Sequence, residues 1–263
     1  MTPDNSAANA PQPSSKFSSV GWWALLGAPV AGLVIGGILV VGLSAILMFS
    51  VHHGGAFDPD RALASLKGSF FVNVAIIALL YIPVIALLWH AATRLNPRPL
   101  VRFFAPLPGI TILLALITGI VASLACLTLE NYLSRVGISF ELSDAERVLF
   151  PTTTVQLAVA VAVMGFLGPF AEELYFRGFL LQWLRQWMKA WPAVVLSAAV
   201  FAVVHLFMLV HPGASGWVTT GEIFAVGILM GVWVVRTGSL WSSYAVHIGY
   251  NCVVVAQLYL SIG

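Results

Sequence analysis

Seven long apolar runs dominate the sequence, and short polar segments separate them. A helix needs roughly 17–25 residues to cross a bilayer, and every run comes near this length except the short one at 221–235. A segment in lipid must satisfy its own backbone hydrogen bonds, which favours helices. The run at 153–182 contains Gly165, Gly168 and Pro169, so we expect a bend or a break there. The predicted spans are 24–49, 69–92, 109–129, 153–182, 193–211, 221–235 and 239–260.

The composition excludes an ordinary soluble protein. Hydrophobic residues make up 60% of the 263 residues and charged residues 8%, whereas a typical soluble domain has about 25% charged residues. The net charge of +2 is too small to suggest a nucleic-acid partner. We predict an all-α, polytopic transmembrane helix bundle with about seven to eight spans. Residues 1–19, rich in Ser, Pro, Asn and Ala, are expected to be a disordered cytoplasmic tail, and residues 20–263 a single integral-membrane domain.

The basic residues predict the orientation, because cytoplasmic loops carry an excess of Lys and Arg. A cytoplasmic N-terminus places eight of the 12 basic residues inside. It places seven of the ten acidic residues, Glu222 among them, on the far side. With seven spans the C-terminus then lies outside. The inner basic residues are Lys16, Arg94, Arg98, Arg102, Arg177, Arg185, Lys189 and Arg236.

Three groups of polar residues interrupt the later runs. Each charged residue at a helix centre costs about 2.5–3.5 kcal/mol on insertion. Such residues face a protein interior or a wet cavity and mark function by default. The alternatives are an interfacial turn, a core histidine and an interhelical hydrogen-bond clasp. The groups are Glu172, Glu173 and Arg177 in the fourth run, His205 in the fifth, and His247 and Asn251 in the seventh.

Depth and spacing indicate that these groups meet. At 1.5 Å per residue from the nearest span end, His205, His247, Asn251 and Glu172 all lie about 12–18 Å deep. We therefore predict a polar site near the middle of the membrane, built within residues 153–260. His247 and Asn251 are four residues apart and share a helix face.

Glu173 and Arg177 are also four apart, in the order that favours an ion pair. Glu173 would then neutralise Arg177 while Glu172 is free for chemistry, although the two glutamates could exchange roles. One carboxylate, two imidazoles and a carboxamide suit hydrolysis of a peptide bond. A glutamate can act as general base, imidazoles carry protons or bind Zn²⁺, and Asn can donate to an oxyanion.

Together these residues resemble the CAAX-protease and bacteriocin-processing family of intramembrane endopeptidases (CPBP), also called the Abi family. The family pattern is Glu-Glu-x-x-x-Arg, then Phe-x-x-x-His, then His-x-x-x-Asn, each on its own membrane helix. All three motifs occur in order across about 80 of the 263 residues. They are Glu172-Glu173 with Arg177, Phe201 with His205, and His247 with Asn251.

The resemblance implies a set of roles. Glu172 with His205 would activate water, and His247 with Asn251 would stabilise the oxyanion. Glu173, Arg177 and Phe201 would be supporting residues.

The family is described as metal-dependent, and a metal-free glutamate mechanism has also been argued for it. If Zn²⁺ is a cofactor, its candidate ligands here are His205, His247 and Glu172. The implied partners are a membrane-protein or peptide substrate and the lipid bilayer, and the expected location is a bacterial cytoplasmic membrane. The alternative is a non-proteolytic membrane protein of the same fold, such as an immunity factor or scaffold.

Overall fold

Seven long helices make up the described part of the chain. The structure, a computed structural model, describes residues 23–50, 64, 66–95, 104–140, 147–209 and 213–261. It contains no strand within these ranges, which confirms the predicted all-α bundle. The predicted tail at 1–19 lies outside them. The helices are α1 (Ala28–Ser50), α2 (Phe70–Leu95), α3 (Gly109–Arg135), α4 (Thr154–Leu184), α5 (Ala190–Leu209), α6 (Ala214–Thr237) and α7 (Leu240–Leu260).

The helices have the length and surface of an integral membrane protein. Five of them, α1 to α4 and α6, are long and apolar enough to cross a membrane. Their outward faces expose large aliphatic side chains, for example Val41 on α1 and Ile110 on α3. An apolar surface of this extent is the surface that a bilayer solvates.

Helix α4 is not broken at the position where the sequence predicted a bend or a break. It continues without interruption from Thr154 to Leu184 and includes two π-helical segments, Val161–Leu167 and Leu174–Leu180. The first π-helical segment ends two residues before Pro169, which lacks a backbone N–H and cannot donate to the preceding turn. A π-helical turn is wider than an α-helical turn and can accommodate the missing hydrogen bond while the helix continues.

The predicted short span at 221–235 is wrong in its bounds. Helix α6 begins seven residues earlier, at Ala214, and contains 24 residues. The polar residues before position 221 fit inside a helix, because a hydroxyl can bond to the preceding turn. Thr220 Oγ1 donates to the Gly216 carbonyl at 2.6 Å. Glu222, counted among the acidic residues on the far side, is therefore two turns inside α6 and buried.

Helix α7 packs against α3, α4 and α6 and so organises the part of the bundle that carries the polar motifs. Its approach to α3 depends on two glycines. A Cβ atom added at Gly119 would lie 1.9 Å from the Val246 carbonyl oxygen, and one added at Gly249 would lie 2.3 Å from the Leu116 carbonyl oxygen. Small residues of this kind let membrane helices pack backbone against backbone.

We predict that Gly119→Ala lowers the thermal unfolding midpoint in detergent. The added methyl group meets a carbonyl oxygen that belongs to the backbone, and overpacking costs typically about 1–3 kcal/mol. The matched control is Gly37→Ala in α1, where an added Cβ has no atom within 4 Å. The control is expected to match or exceed the native midpoint, since Ala favours the helix. Equal midpoints for the two variants would contradict the proposed close packing.

Candidate active site

A buried ion pair joins two of the predicted residues on α4. Arg177 Nη1 donates to Glu173 Oε1 at 2.8 Å, and neither side chain is more than 1% exposed. The pair has the four-residue spacing and the order that the sequence predicted. Both charges lie in a low-dielectric place, where an unpaired charge is very unfavourable. Glu173 and Arg177 therefore stabilise each other inside the bundle.

This ion pair also connects α4 to its neighbours. Glu173 Oε1 accepts a second hydrogen bond, from His247 Nδ1 on α7, at 3.0 Å. Arg177 Nη2 donates to the Gly227 carbonyl oxygen of α6 at 3.1 Å. The guanidinium carbon lies 4.5 Å from the ring centroid of Phe201 on α5, within range of a cation–π interaction. Four helices thus meet around one carboxylate–guanidinium pair.

Glu172 lies in a different environment from Glu173. Its Oε1 atom accepts a hydrogen bond from the Tyr81 hydroxyl of α2 at 2.5 Å. Its Oε2 atom lies 3.7 Å from Nε2 of His205 and 3.7 Å from Nε2 of His247. The Glu172 side chain is 15% exposed, whereas that of Glu173 is fully buried. Glu172 is therefore the carboxylate that a molecule in the cavity can reach.

The hydrogen bond made by Nδ1 of each histidine determines which ring nitrogen carries the proton. His205 Nδ1 lies 2.8 Å from the Phe201 carbonyl oxygen, which can only accept, so Nδ1 carries the proton. His247 Nδ1 likewise donates to the Glu173 carboxylate. In the neutral imidazoles both Nε2 atoms then present a lone pair toward Glu172.

Asn251 lies on the same face of α7 as His247 and lines the same cavity. Its Nδ2 atom donates to the Met164 carbonyl oxygen at 2.9 Å. Met164 belongs to the first π-helical segment of α4, where altered backbone hydrogen bonding leaves carbonyl groups for other donors. One N–H of the Asn251 carboxamide remains for a ligand.

The structure brings together the residues that the sequence proposed for one site. Glu172, His205, His247 and Asn251 all line a single cavity of about 640 Å³, together with Phe201. Glu173 and Arg177 are buried behind it. The roles of these residues in chemistry stay predictions.

Sequence reasoning missed Tyr81. It lies near the middle of α2, outside the three motifs, and holds Glu172. A signal was present, because a tyrosine eleven residues into an apolar span is at the depth where other polar groups were counted. The two carboxyl groups of Glu130 and Glu222, which line the same cavity, were also assigned to the outer side. Their helices are longer than predicted, so the depth argument was not applied to them.

The candidate zinc ligands have suitable chemistry. A zinc-binding histidine commonly donates its other ring N–H to a carbonyl or carboxylate, as His205 and His247 both do. Among the residues that the structure describes, however, no group of three or more His, Cys, Asp or Glu side chains is arranged to hold a metal ion. Zn²⁺ therefore stays a prediction, and the chemistry below is derived from the side chains alone.

The fold and the site define an integral membrane protein whose helix bundle encloses a carboxylate and two imidazoles. Residues 154–253 match the family model described as type II CAAX prenyl endopeptidase Rce1-like. This match bears out the family resemblance for that segment and supports intramembrane endopeptidase activity at the level of the family. The matched segment contains all seven motif residues. No curated protein and no solved structure matches the chain.

We predict that Glu173→Gln destabilises the protein far more than Glu172→Gln does. Gln keeps the size of the side chain but leaves Arg177 buried without its counter-charge, and breaking a buried pair costs about 3–5 kcal/mol. Among the described residues, no Lys or Arg lies within hydrogen-bond distance of Glu172, so its substitution should change stability little. Thermal unfolding in detergent measures both effects.

The matched control for this prediction is the double variant Glu173→Gln/Arg177→Met. Removing both charges should recover part of the lost stability, because an uncompensated charge no longer remains in the interior. Similar unfolding midpoints for Glu173→Gln and Glu172→Gln would show that the ion pair is not what stabilises the bundle.

Proposed function

We propose that this protein is an intramembrane endopeptidase in which Glu172 activates a water molecule that cleaves a peptide bond. The observation that carries the proposal is the position of Glu172 Oε2, at 3.7 Å from the Nε2 atoms of both His205 and His247. These separations are too long for direct hydrogen bonds and suit a bridging water. A water held there would lie beside a base and two proton carriers.

Glu172 acts as the general base. Its carboxylate takes a proton from the water, and the hydroxide attacks the carbonyl carbon of the scissile bond. Tyr81 donates to the other carboxylate oxygen and so leaves Oε2 as the atom that faces the water. His205 assists through its Nε2 atom, with its ring held by the Phe201 carbonyl oxygen.

His247 and Asn251 stabilise the tetrahedral intermediate. When protonated, His247 donates Nε2–H to the oxyanion, while the Glu173 carboxylate holds its ring at Nδ1. The second N–H of the Asn251 carboxamide donates to the same oxygen. The proton held by the Glu172 carboxyl passes to the leaving nitrogen, which departs as an amine, and Glu172 is ionised again.

The substrate is a membrane-associated protein or peptide that enters through the cavity. The lining includes Asn131 and Ser134 near the end of α3, Ser215 at the start of α6 and Gln257 near the end of α7. These helix ends lie on one face of the bundle, opposite the turn that follows α4. With the proposed cytoplasmic N-terminus, the mouth of the cavity is on the far side of a bacterial cytoplasmic membrane.

We predict that Glu172→Gln reduces cleavage at least about 100-fold, since general-base catalysis contributes about 10²–10⁴-fold. The measurement uses purified full-length protein in detergent and a library of quenched fluorogenic peptides with apolar sequences. Gly37→Ala, in an open part of α1, serves as the control and should cleave at the native rate. A native rate in Glu172→Gln would remove Glu172 as the base. Absence of cleavage by the native protein would favour the non-proteolytic alternative.

We propose Zn²⁺ as a candidate cofactor, held by His205, His247 and Glu172. Bound there, it would supply Lewis-acid activation of water and of the scissile carbonyl. We predict that activity is lost with 1,10-phenanthroline and returns on adding Zn²⁺ or Co²⁺ if this metal is used. Metal analysis of active purified protein gives the second measurement, and well under one equivalent would leave the side chains as the complete catalytic group.

A further inference from the structure

The cavity extends beyond the candidate catalytic residues to a second polar group. This group lies where α3, α6 and α7 face one another, and every member lines the same cavity of about 640 Å³. We call these residues the acidic subsite. They are Ser123 and Glu130 on α3 and Glu222 on α6.

The charges of the cavity are unbalanced. Three glutamates, Glu130, Glu172 and Glu222, line it, and its described lining includes no Lys or Arg. Glu222 on α6 and Glu130 on α3 line the same cavity. Two carboxylates in one cavity repel each other unless a proton or a cation lies between them. The acidic subsite is therefore complementary to a positive charge.

Two buried polar atoms in the acidic subsite have no hydrogen-bond partner within the described part of the chain. They are Glu222 Oε1 and Ser123 Oγ. The Glu222 residue is 7% exposed and Ser123 is 1% exposed. A buried polar atom without a partner is unfavourable by about 1–3 kcal/mol. Both residues line the cavity, so a donor group that enters it can approach these two atoms.

The acidic subsite lies close enough to the catalytic residues to contact the same substrate. Glu222 is one helical turn, about 6 Å, before Val226, which packs in one cluster with Phe201. Tyr250, which also lines the cavity, follows His247 by three residues, about 4.5 Å along α7. An extended peptide advances about 3.3–3.6 Å per residue. A peptide bound in this cavity can therefore contact the acidic subsite within a few residues of the cleaved bond.

We propose that the acidic subsite binds the ammonium or guanidinium group of a Lys or Arg within a few residues of the scissile bond. Glu130 and Glu222 supply the charge, and Ser123 Oγ accepts a further hydrogen bond. The substrate class is then an apolar, membrane-associated peptide segment that carries one basic residue near the cleavage point. This inference rests on the proposed endopeptidase function, because it names the substrate of that site.

An organic cation fits the acidic subsite better than a metal ion does. No described group of three or more His, Cys, Asp or Glu side chains can hold a metal here, even though Cys126 lies one turn before Glu130. A long basic side chain brings several N–H donors on a flexible stem and needs no fixed coordination geometry. It can also bury its methylene groups along the apolar walls of the cavity.

The experiment compares peptides that differ in one side chain. Quenched fluorogenic peptides share an apolar core of Leu, Ala and Val and hold Lys, norleucine or Glu at each position near the cleaved bond. Full-length protein in detergent should cleave the best Lys peptide with a kcat/KM at least about tenfold above that of its norleucine counterpart, as expected for a buried charge-assisted hydrogen bond. In Glu222→Gln this ratio should fall to about one, and in Glu222→Lys the Glu peptide should be preferred. Gly37→Ala should keep the native ratio.

A binding measurement separates this inference from the proposed function. Fluorescence anisotropy with labelled peptides is measured in Glu172→Gln and in Glu172→Gln/Glu222→Gln. Selective binding of the Lys peptide by the first variant and not by the second supports the acidic subsite even if no peptide is cleaved, in which case only the proposed function fails. Cleavage without any preference for Lys would overturn the subsite and leave the proposed function standing.

If Glu222→Gln cleaves no peptide, the binding measurement shows which role Glu222 has. If the Lys peptide still binds about tenfold more tightly than the norleucine peptide, Glu222 serves proton transfer or folding, and the subsite is overturned. If Glu222→Gln does not yield folded protein, the ratio of kcat/KM for the Lys and norleucine peptides is measured in Glu130→Gln instead. An unchanged Lys preference in that variant would likewise overturn the proposal.

Discussion

The buried carboxylate of Glu173 is the interaction on which the rest of the site depends. One oxygen atom accepts from both Arg177 and His247, which fixes the relation of α4 to α7. Arg177 extends the network to the Gly227 carbonyl of α6 and the Phe201 ring of α5. Both charges need their partners in the low-dielectric interior, so this network constrains how these helices approach one another. The proposed catalytic atoms are all attached to helices that this network holds.

The same network divides two neighbouring glutamates between structure and chemistry. Glu173 points into the bundle and is fully buried, while Glu172, about 100° round the helix, faces the cavity and the Nε2 atoms of two histidines. Two π-helical segments lie on either side of Glu172 and Glu173 and change the backbone hydrogen bonding of α4 there. The first of them includes the Met164 carbonyl that orients Asn251. Irregular backbone within a membrane helix is tolerated here because it borders a cavity and finds other donors.

Much of this arrangement could be predicted from spacing and depth. The Glu173–Arg177 pair follows from a four-residue separation, and the convergence of Glu172, His205 and His247 follows from counting residues to the nearest span end. The prediction failed at the bounds of α6. The predicted span began at residue 221, which left Glu222 at its outer end, whereas α6 begins at Ala214 and a hydroxyl in its first turns bonds within the helix. Tyr81 was missed because no local pattern connects it to Glu172, 91 residues away.

The sequence by itself determined the class of fold, the membrane setting and the motif residues, because hydropathy and helical periodicity are local properties. The family match over residues 154–253 agrees with these conclusions. Only the tertiary structure decided which nitrogen of each histidine faces Glu172, which residue holds Glu172 in place, and that Glu130 and Glu222 share the cavity of the site. Hydrogen-bond direction and the juxtaposition of distant helices depend on how the helices rotate and approach, as at Gly119 and Gly249. Side-chain packing sets those quantities, and no single helix contains that information.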